Sequence, residues 1–161
     1  MPGKAVRNCI FCLIVKGELS SVNLYEDDLV LAFFDINPIN LGHALIIPRE
    51  HHTSLTTVPP HILARMMAVA PRIGQAVMRE TSSAAFNLHL ANGEVAGQTV
   101  PHTHLHVIPR QPTDGHSWGW RSLAYPSRKA MVQMGERIRR RLETEDPSTE
   151  ASNMDTQETG E

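Results

Sequence analysis

Nine histidines occur in the chain, and three stand at alternate positions: His102, His104 and His106. Thr103, Leu105, Val107 and Ile108 surround them. Strand side chains change face with period two. A strand over 102–108 therefore lines one face with three imidazoles and turns Leu105 and Val107 into the core. Two chemistries suit such a row. One is a metal site, because neutral imidazole is a common ligand. The other is nucleophilic catalysis, with one imidazole attacking while its neighbours orient it and hold an anion. The preceding segment, Gly97-Gln98-Thr99-Val100-Pro101, favours the second. Glycine permits close backbone approach, and Gln98 and Thr99 supply neutral donors that suit a phosphate in a transition state. A hard metal site would call for nearby carboxylates, and none lies between Glu94 and Asp114.

Cys9-x-x-Cys12 is the second reactive pair. It has three readings: a redox dithiol, two small buried hydrophobes, or half of a tetrahedral zinc site that needs two further ligands. The strand-then-helix context of a thioredoxin motif is missing, which weighs against the first.

His102-Thr103-His104-Leu105-His106-Val107-Ile108 resembles the His-x-His-x-His-x-x signature of the histidine-triad (HIT) family of nucleotidyl hydrolases and transferases. The GQTVP approach resembles that family's as well. Cys9 to Cys12, Tyr25 to Asp35 and Gly42 to Pro48 resemble its N-terminal blocks in order and spacing, so the likeness covers roughly residues 8–110. Thr103 departs mildly from an apolar residue. The resemblance implies cleavage of a nucleoside 5'-phosphoramidate or dinucleoside polyphosphate at the α-phosphate, with a purine nucleotide as substrate and a covalent nucleotidyl-histidine intermediate. His104 is the implied nucleophile, and His106 and His43 its orienting and phosphate-contacting partners. Gln98 and Thr99 are implied donors to the phosphate and leaving group, and Asn92 and Gly97 line the phosphate side. Asp35 is implied to bind the ribose hydroxyls, and Ile10, Phe11, Ile14 and Ile36 to sandwich the base.

The resemblance also extends to a zinc-site-containing bacterial or archaeal-like branch, in which the first triad histidine is a ligand and the middle one stays free to react. The implied structural zinc set is Cys9, Cys12, His51 and His102, with His52 as the alternative to His51. No redox cofactor is needed, and a homodimer is expected. Two other readings remain: a metalloenzyme in which His102, His104 and His106 share a catalytic metal, and a non-catalytic nucleotide-binding module.

The elements that must position these residues follow from pattern. Cys9 to Lys16 reads as a short helix closed by Gly17. Val22–Tyr25, Leu29–Asp35, His43–Pro48, Phe86–Leu90 and His102–Ile108 read as strands, with Asp27-Asp28 and Asn37-Pro38 through Gly42 as turns. Leu63, Met66, Met67, Ala70, Ile73 and Val77 recur at spacings of three and four, so a long helix is expected. Thr57 is its expected N-cap, and Pro71 should kink or break it. A last helix starts near Ser127 with Met131, Met134, Ile138 and Leu142 on one face. The order favours an α+β fold with a five-stranded antiparallel sheet.

Composition sets the bounds. The chain has 161 residues, 41% hydrophobic, 20% charged and a formal charge of −2. Such a chain can build a core, and it is neither a disulfide scaffold nor a strongly basic nucleic-acid binder. All 15 Lys and Arg lie in 1–142 beside ten of the 17 acids, so this part is formally +5; the seven acids of 143–161 make the rest −7. A catalytic domain over 1–142 and an acidic disordered tail over 143–161 are expected. The basic body suits an anionic substrate. Arg137 to Arg141 lacks the aromatic partners of a nucleic-acid site, so no specific nucleic-acid binding is expected. No membrane span or signal segment is read, and a cytoplasmic setting is expected. His116-Ser-Trp-Gly-Trp120 reads either as a cover for the site, as an interface, or as a loop packed on the body.

Overall fold

The computed structural model describes residues 9–117 and 122–144. The loop at Trp118-Gly-Trp120 and the acidic segment 145–161 lie outside the described residues. The chain divides after His116 into two units.

The first unit holds a five-stranded sheet. Its elements are α1 (Ile10–Val15), β1 (Asn23–Glu26), β2 (Val30–Phe34), β3 (Ala44–Pro48), α2 (Pro60–Thr81), β4 (Ala85–His89) and β5 (Leu105–Arg110). The strand order is β1-β2-β3-β5-β4, and every neighbouring pair is antiparallel. This is the α+β architecture expected, with strand bounds shifted by no more than three residues. The Asp27 turn is built by its carboxylate, which accepts from the Leu29 and Val30 amides at 2.9 Å. Tyr25 and Arg65 of α2 donate to the other carboxylate oxygen at 2.8 and 2.6 Å, tying the hairpin to the helix.

Alternation sorts the sheet into two faces. Val30, Ala32, Ala44, Ile46, Leu105 and Val107 pack under α2. Leu31, Phe33, Leu45 and Ile47 pack with Cys9, Phe11 and Cys12 of the α1 segment on the other face. Complete burial of a Leu or Ile contributes roughly 1.5–3 kcal/mol, so both layers hold the sheet rigid beneath the site.

Three sequence readings of α2 need correction. Thr57 is not its N-cap. It closes a single 3-10 turn, Leu55–Thr57, whose own cap is Ser54, and α2 starts with Pro60 after Pro59. Proline at the first helical position is favourable because its missing N–H would have no intrahelical partner. Pro71 does not break the helix. The acceptor it leaves without a donor is the carbonyl of Met67, on the exposed side, where water can serve it. Met67 is itself 54% exposed rather than part of the stripe. The buried stripe is Ile62, Met66, Val69, Ala70, Ile73, Gly74 and Val77, and Met67 is turned about 100° from Met66. At Gly74 a Cβ would sit 2.7 Å from the Phe86 ring, which explains the glycine inside a helix.

The second unit contains α3 (Arg128–Thr144). Ser127 caps it, its Oγ accepting from the Ala130 amide at 3.1 Å. Met131, Met134, Ile138 and Leu142 are exposed. The helix runs two residues past 142.

Among the described residues, no helix is long and apolar enough to cross a membrane.

Candidate active site and metal centre

The histidine row departs from its expected geometry at its start. β5 begins at Leu105, so His102, Thr103 and His104 precede the regular ladder. The Thr103 amide donates to the His52 carbonyl at 2.6 Å instead of joining the sheet. The rings still follow one another along the face opposite α2. Phe11 packs edge-on against both His102 and His104, with centroids 5.8 and 5.3 Å away, and His104 lies 4.9 Å from His106.

Hydrogen bonding assigns a distinct tautomer to each ring. His104 Nδ1 lies 2.7 Å from the His102 carbonyl. A carbonyl only accepts, so Nδ1 carries the proton and Nε2 keeps a lone pair. Burial pushes the His104 pKa down, against the opposing pull of that carbonyl, so the neutral ring with its Nε2 lone pair is favoured at neutral pH.

His43 and His106 form a relay. The Ile39 amide donates to His43 Nδ1 at 3.2 Å, so neutral His43 carries its proton on Nε2. That N–H donates to His106 Nδ1 at 2.9 Å. Neutral His106 then bears its proton on Nε2. Both rings are held neutral. Burial lowers His43 although Asp35 pulls it upward. Burial, then the His104 and His43 charges, push His106 down to about 4. Asp35, at the end of β2, places Oδ2 3.8 Å from His43 Nε2, and its Oδ1 accepts from the Asn37 amide at 2.8 Å.

His104 and His106 line a cavity of about 640 Å³ with Thr99, Asp35 and Ile36. Ile10, Phe11 and Ile14 of α1 form an apolar wall. The cavity therefore joins a lone pair and an imidazole N–H, a carboxylate and a greasy slot in one space. Its volume is within the range of small-molecule sites.

Not every expected residue reaches this space. His43 stands behind His106. Asn92, Gly97 and Gln98 are outside the lining. The Gln98 amide donates to the Thr53 and Val100 carbonyls at 2.9 and 3.2 Å and accepts from the Gly93 amide at 2.7 Å, so it braces the loop. Asn92 Oδ1 accepts from the Leu55 amide at 2.7 Å and from Ser54 Oγ at 3.0 Å. Gln98 satisfies part-buried backbone groups, while Asn92 makes exposed bonds that tie its loop to the Ser54–Leu55 segment. Sequence reading missed Leu19, Ser20, Ser21, Val22, Phe33, Phe34, Asn37, Leu45 and Val100, which also line the cavity. Alternation in β2 and β3 could have found Phe33 and Leu45; the loop residues carry no periodic signal.

The cysteines converge with two histidines. Ligand atoms of Cys9, Cys12, His51 and His102 all lie within 4.8 Å of one another. His102 Nδ1 is 3.5 Å from Cys9 Sγ and 3.7 Å from Cys12 Sγ, and His51 Nδ1 is 3.2 Å from Cys12 Sγ. Bonds of about 2.0–2.3 Å in a tetrahedron put ligand atoms roughly 3.3–3.8 Å apart, so the donor set fits zinc. The supporting contact fits as well: His102 Nε2–H donates to the Pro48 carbonyl at 2.9 Å, which leaves Nδ1 unprotonated. Burial pushes His102 down to about 4, which keeps it neutral. His52 Nε2 faces Glu50 instead, 3.6 Å away. Because His102 turns to the cysteines and His106 to His43, the three triad rings do not aim at one common point.

The HIT domain family model matches residues 16–113, and the chain belongs to that family. Adenylylsulfatase HINT3 of Arabidopsis thaliana is 45% identical over 107 residues, which are 66% of this chain and 54% of that protein. The chain thus spans about half the length of that relative. Adenosine 5'-monophosphoramidase HNT1 of Saccharomyces cerevisiae is 41% identical over 113 residues, 70% of this chain and 69% of that one. A HIT family protein from Bacillus anthracis superposes with a TM-score of 0.78 at 38% identity, covering 83% and 96% of the two chains. A Zn-bound histidine triad family protein from Mycobacterium smegmatis superposes with a TM-score of 0.66 at 36% identity, covering 80% and 96%.

Proposed function

We propose that this chain is a nucleotide hydrolase or transferase acting at the α-phosphate of an adenosine phosphoramidate or a dinucleoside polyphosphate. The observation that carries this reading is the pairing of tautomers in one cavity: a lone pair on His104 Nε2 beside a ring whose N–H is set by the His43 relay. His104 Nε2 attacks phosphorus. A P–N bond forms and the bond to the leaving group breaks, its electron pair going with that group; an amine leaving group takes up a proton from solvent as it departs. His106 N–H and Thr99 donate to the phosphoryl oxygens as their charge grows. Water then attacks the phosphorus, the P–N bond breaks, and a nucleoside monophosphate and a proton leave. A covalent intermediate splits one difficult displacement into two easier ones. Asp35 accepts from the ribose hydroxyls, and Ile10, Phe11, Ile14 and Ile36 enclose the base. Gln98, Asn92 and Gly97 hold the loop that presents Thr99. The names of the Arabidopsis and yeast relatives support an adenylyl substrate.

Cys9, Cys12, His51 and His102 would hold a structural zinc. Bound there, the metal ties the α1 segment to the start of the catalytic strand and leaves His104 outside its coordination. The proposed assembly is a homodimer. β4 is an edge strand, and an edge offers unpaired backbone groups to a second chain.

The test is His104→Ala with a panel of adenosine phosphoramidate and dinucleoside polyphosphate substrates. The variant should lose turnover while keeping nucleotide affinity, and the quenched wild-type protein should carry a nucleotidyl mass on His104. Turnover by the variant refutes the reading. A wild-type protein that binds nucleotide but forms no adduct with any substrate points to a binding module.

A further inference from the structure

One histidine outside the triad is placed where it bears on the chemistry. His89 ends β4, and the antiparallel register sets it directly opposite His106 on β5. Directly opposed residues share a face of the sheet, so His89 stands on the catalytic face. Its ring centroid is 5.8 Å from that of His106, with the planes inclined at 41°. On the other side His43 sits 5.1 Å from His106 at the same inclination. The His106 ring is therefore held between two imidazoles.

The relay makes the charge state of His106 decisive. A protonated His106 would point Nδ1–H at the His43 Nε2–H, two donors 2.9 Å apart. The hydrogen bond that orients both rings would be lost. We propose that His89 is a positioning residue for His106: its ring confines the His106 imidazole, and a positive charge at this position opposes a second charge there and so preserves the neutral, N–H-presenting form. The titratable groups that face His106 are Asp35 from the end of β2, His43 from the start of β3, His104 from the approach to β5, and His89 from β4. Asp35 favours a charge on His106, while His43, His104 and His89 oppose it. α2 packs on the opposite face of the sheet. His89 lies outside the relay and the proposed metal ligands; its charge opposes a charge on His104 as well as on His106, so the two rings are read separately. This role rests on the proposed use of His106 in catalysis.

The experiment is a charge series in the full chain: His89→Lys, His89→Phe and His89→Glu, with His89→Gln as a further neutral variant should the phenylalanine disturb folding. The titration midpoint of His106 is read by NMR of its ring nitrogens. It should rise in the order Lys, Phe, Glu, by about half a pH unit or more per step. The acid limb of kcat/KM should move in the same order. Equal midpoints across the series, or an order that ignores charge, overturns the assignment of His89. Midpoints that follow charge while the acid limb stays fixed support His89 as the electrostatic partner but refute the use of a neutral His106 in turnover.

Discussion

Gly42→Ala tests whether the close packing of α2 positions the relay. Gly42 has φ +92°, and a Cβ there would lie 2.7 Å from Val77 Cγ1 and 2.9 Å from Thr81 Cγ2. Attractive carbon–carbon contacts sit at about 3.5–4.0 Å, so the added methyl must displace the end of α2 or the turn. The backbone term costs about 1–2 kcal/mol and the overpacking about 1–3 kcal/mol. The stiffer unfolded chain returns about 0.4–1 kcal/mol. A net loss of about 2–4 kcal/mol follows, a fall in Tm of about 10 °C for a domain of this size. Gly97→Ala is the control, with φ +94° and nothing within 4 Å of the added Cβ. It should carry the backbone term alone, about 1 kcal/mol. Gly42 also directly precedes His43, whose contact with His106 is 2.9 Å long. A shift there should lower kcat about 10–100-fold. Urea denaturation at equal metal content and steady-state kinetics give both readouts. Equal destabilisation by the two substitutions, or a Gly42→Ala protein within about 0.5 kcal/mol of wild type, refutes the packing argument.

Stability should fall with acid through the histidine row. His106 is pushed down to about 4 in the folded chain, while an unfolded histidine titrates near 6.5. Between those values the unfolded state binds the extra proton, so stability is complete above about 6.5 and is lost as pH falls toward 4, by up to about 1.4 kcal/mol per pH unit. His106→Gln should flatten the urea-midpoint profile over that window; an unchanged slope contradicts the assignment. Zinc reconstitution should leave one tightly held equivalent per chain by metal analysis. Cys12→Ala should abolish it and lower Tm, whereas metal-free protein that stays folded should still form the His104 adduct. Loss of adduct in folded, metal-free protein would instead favour a catalytic metal.

The strands, the long helix and the row of three histidines were legible in the sequence, because period two, period 3.6 and His-x-His-x-His are local patterns. Cys9-x-x-Cys12 was legible as half a metal site for the same reason, since two ligands on one short helix share its geometry. Its completion by His51 and His102 was implied by the family resemblance and by no local pattern, because those rings reach the cysteines only after β3 and β5 pair and α1 folds over them. Tertiary structure also decided which polar side chains face the cavity. Gln98 looks like a phosphate donor in a linear reading, yet backbone groups claim its amide, and Asn92, read as lining the phosphate side, turns its Oδ1 to the Leu55 amide instead. Met67 matched the helical period and still fell outside the stripe, because the sheet set where that stripe is centred. His89 had no motif to mark it. It lies 17 residues before His106, and only the β4–β5 register places one against the other. Local patterns reveal which chemistry a chain can hold; long-range pairing decides which atoms meet, because cross-strand distances are independent of separation along the chain.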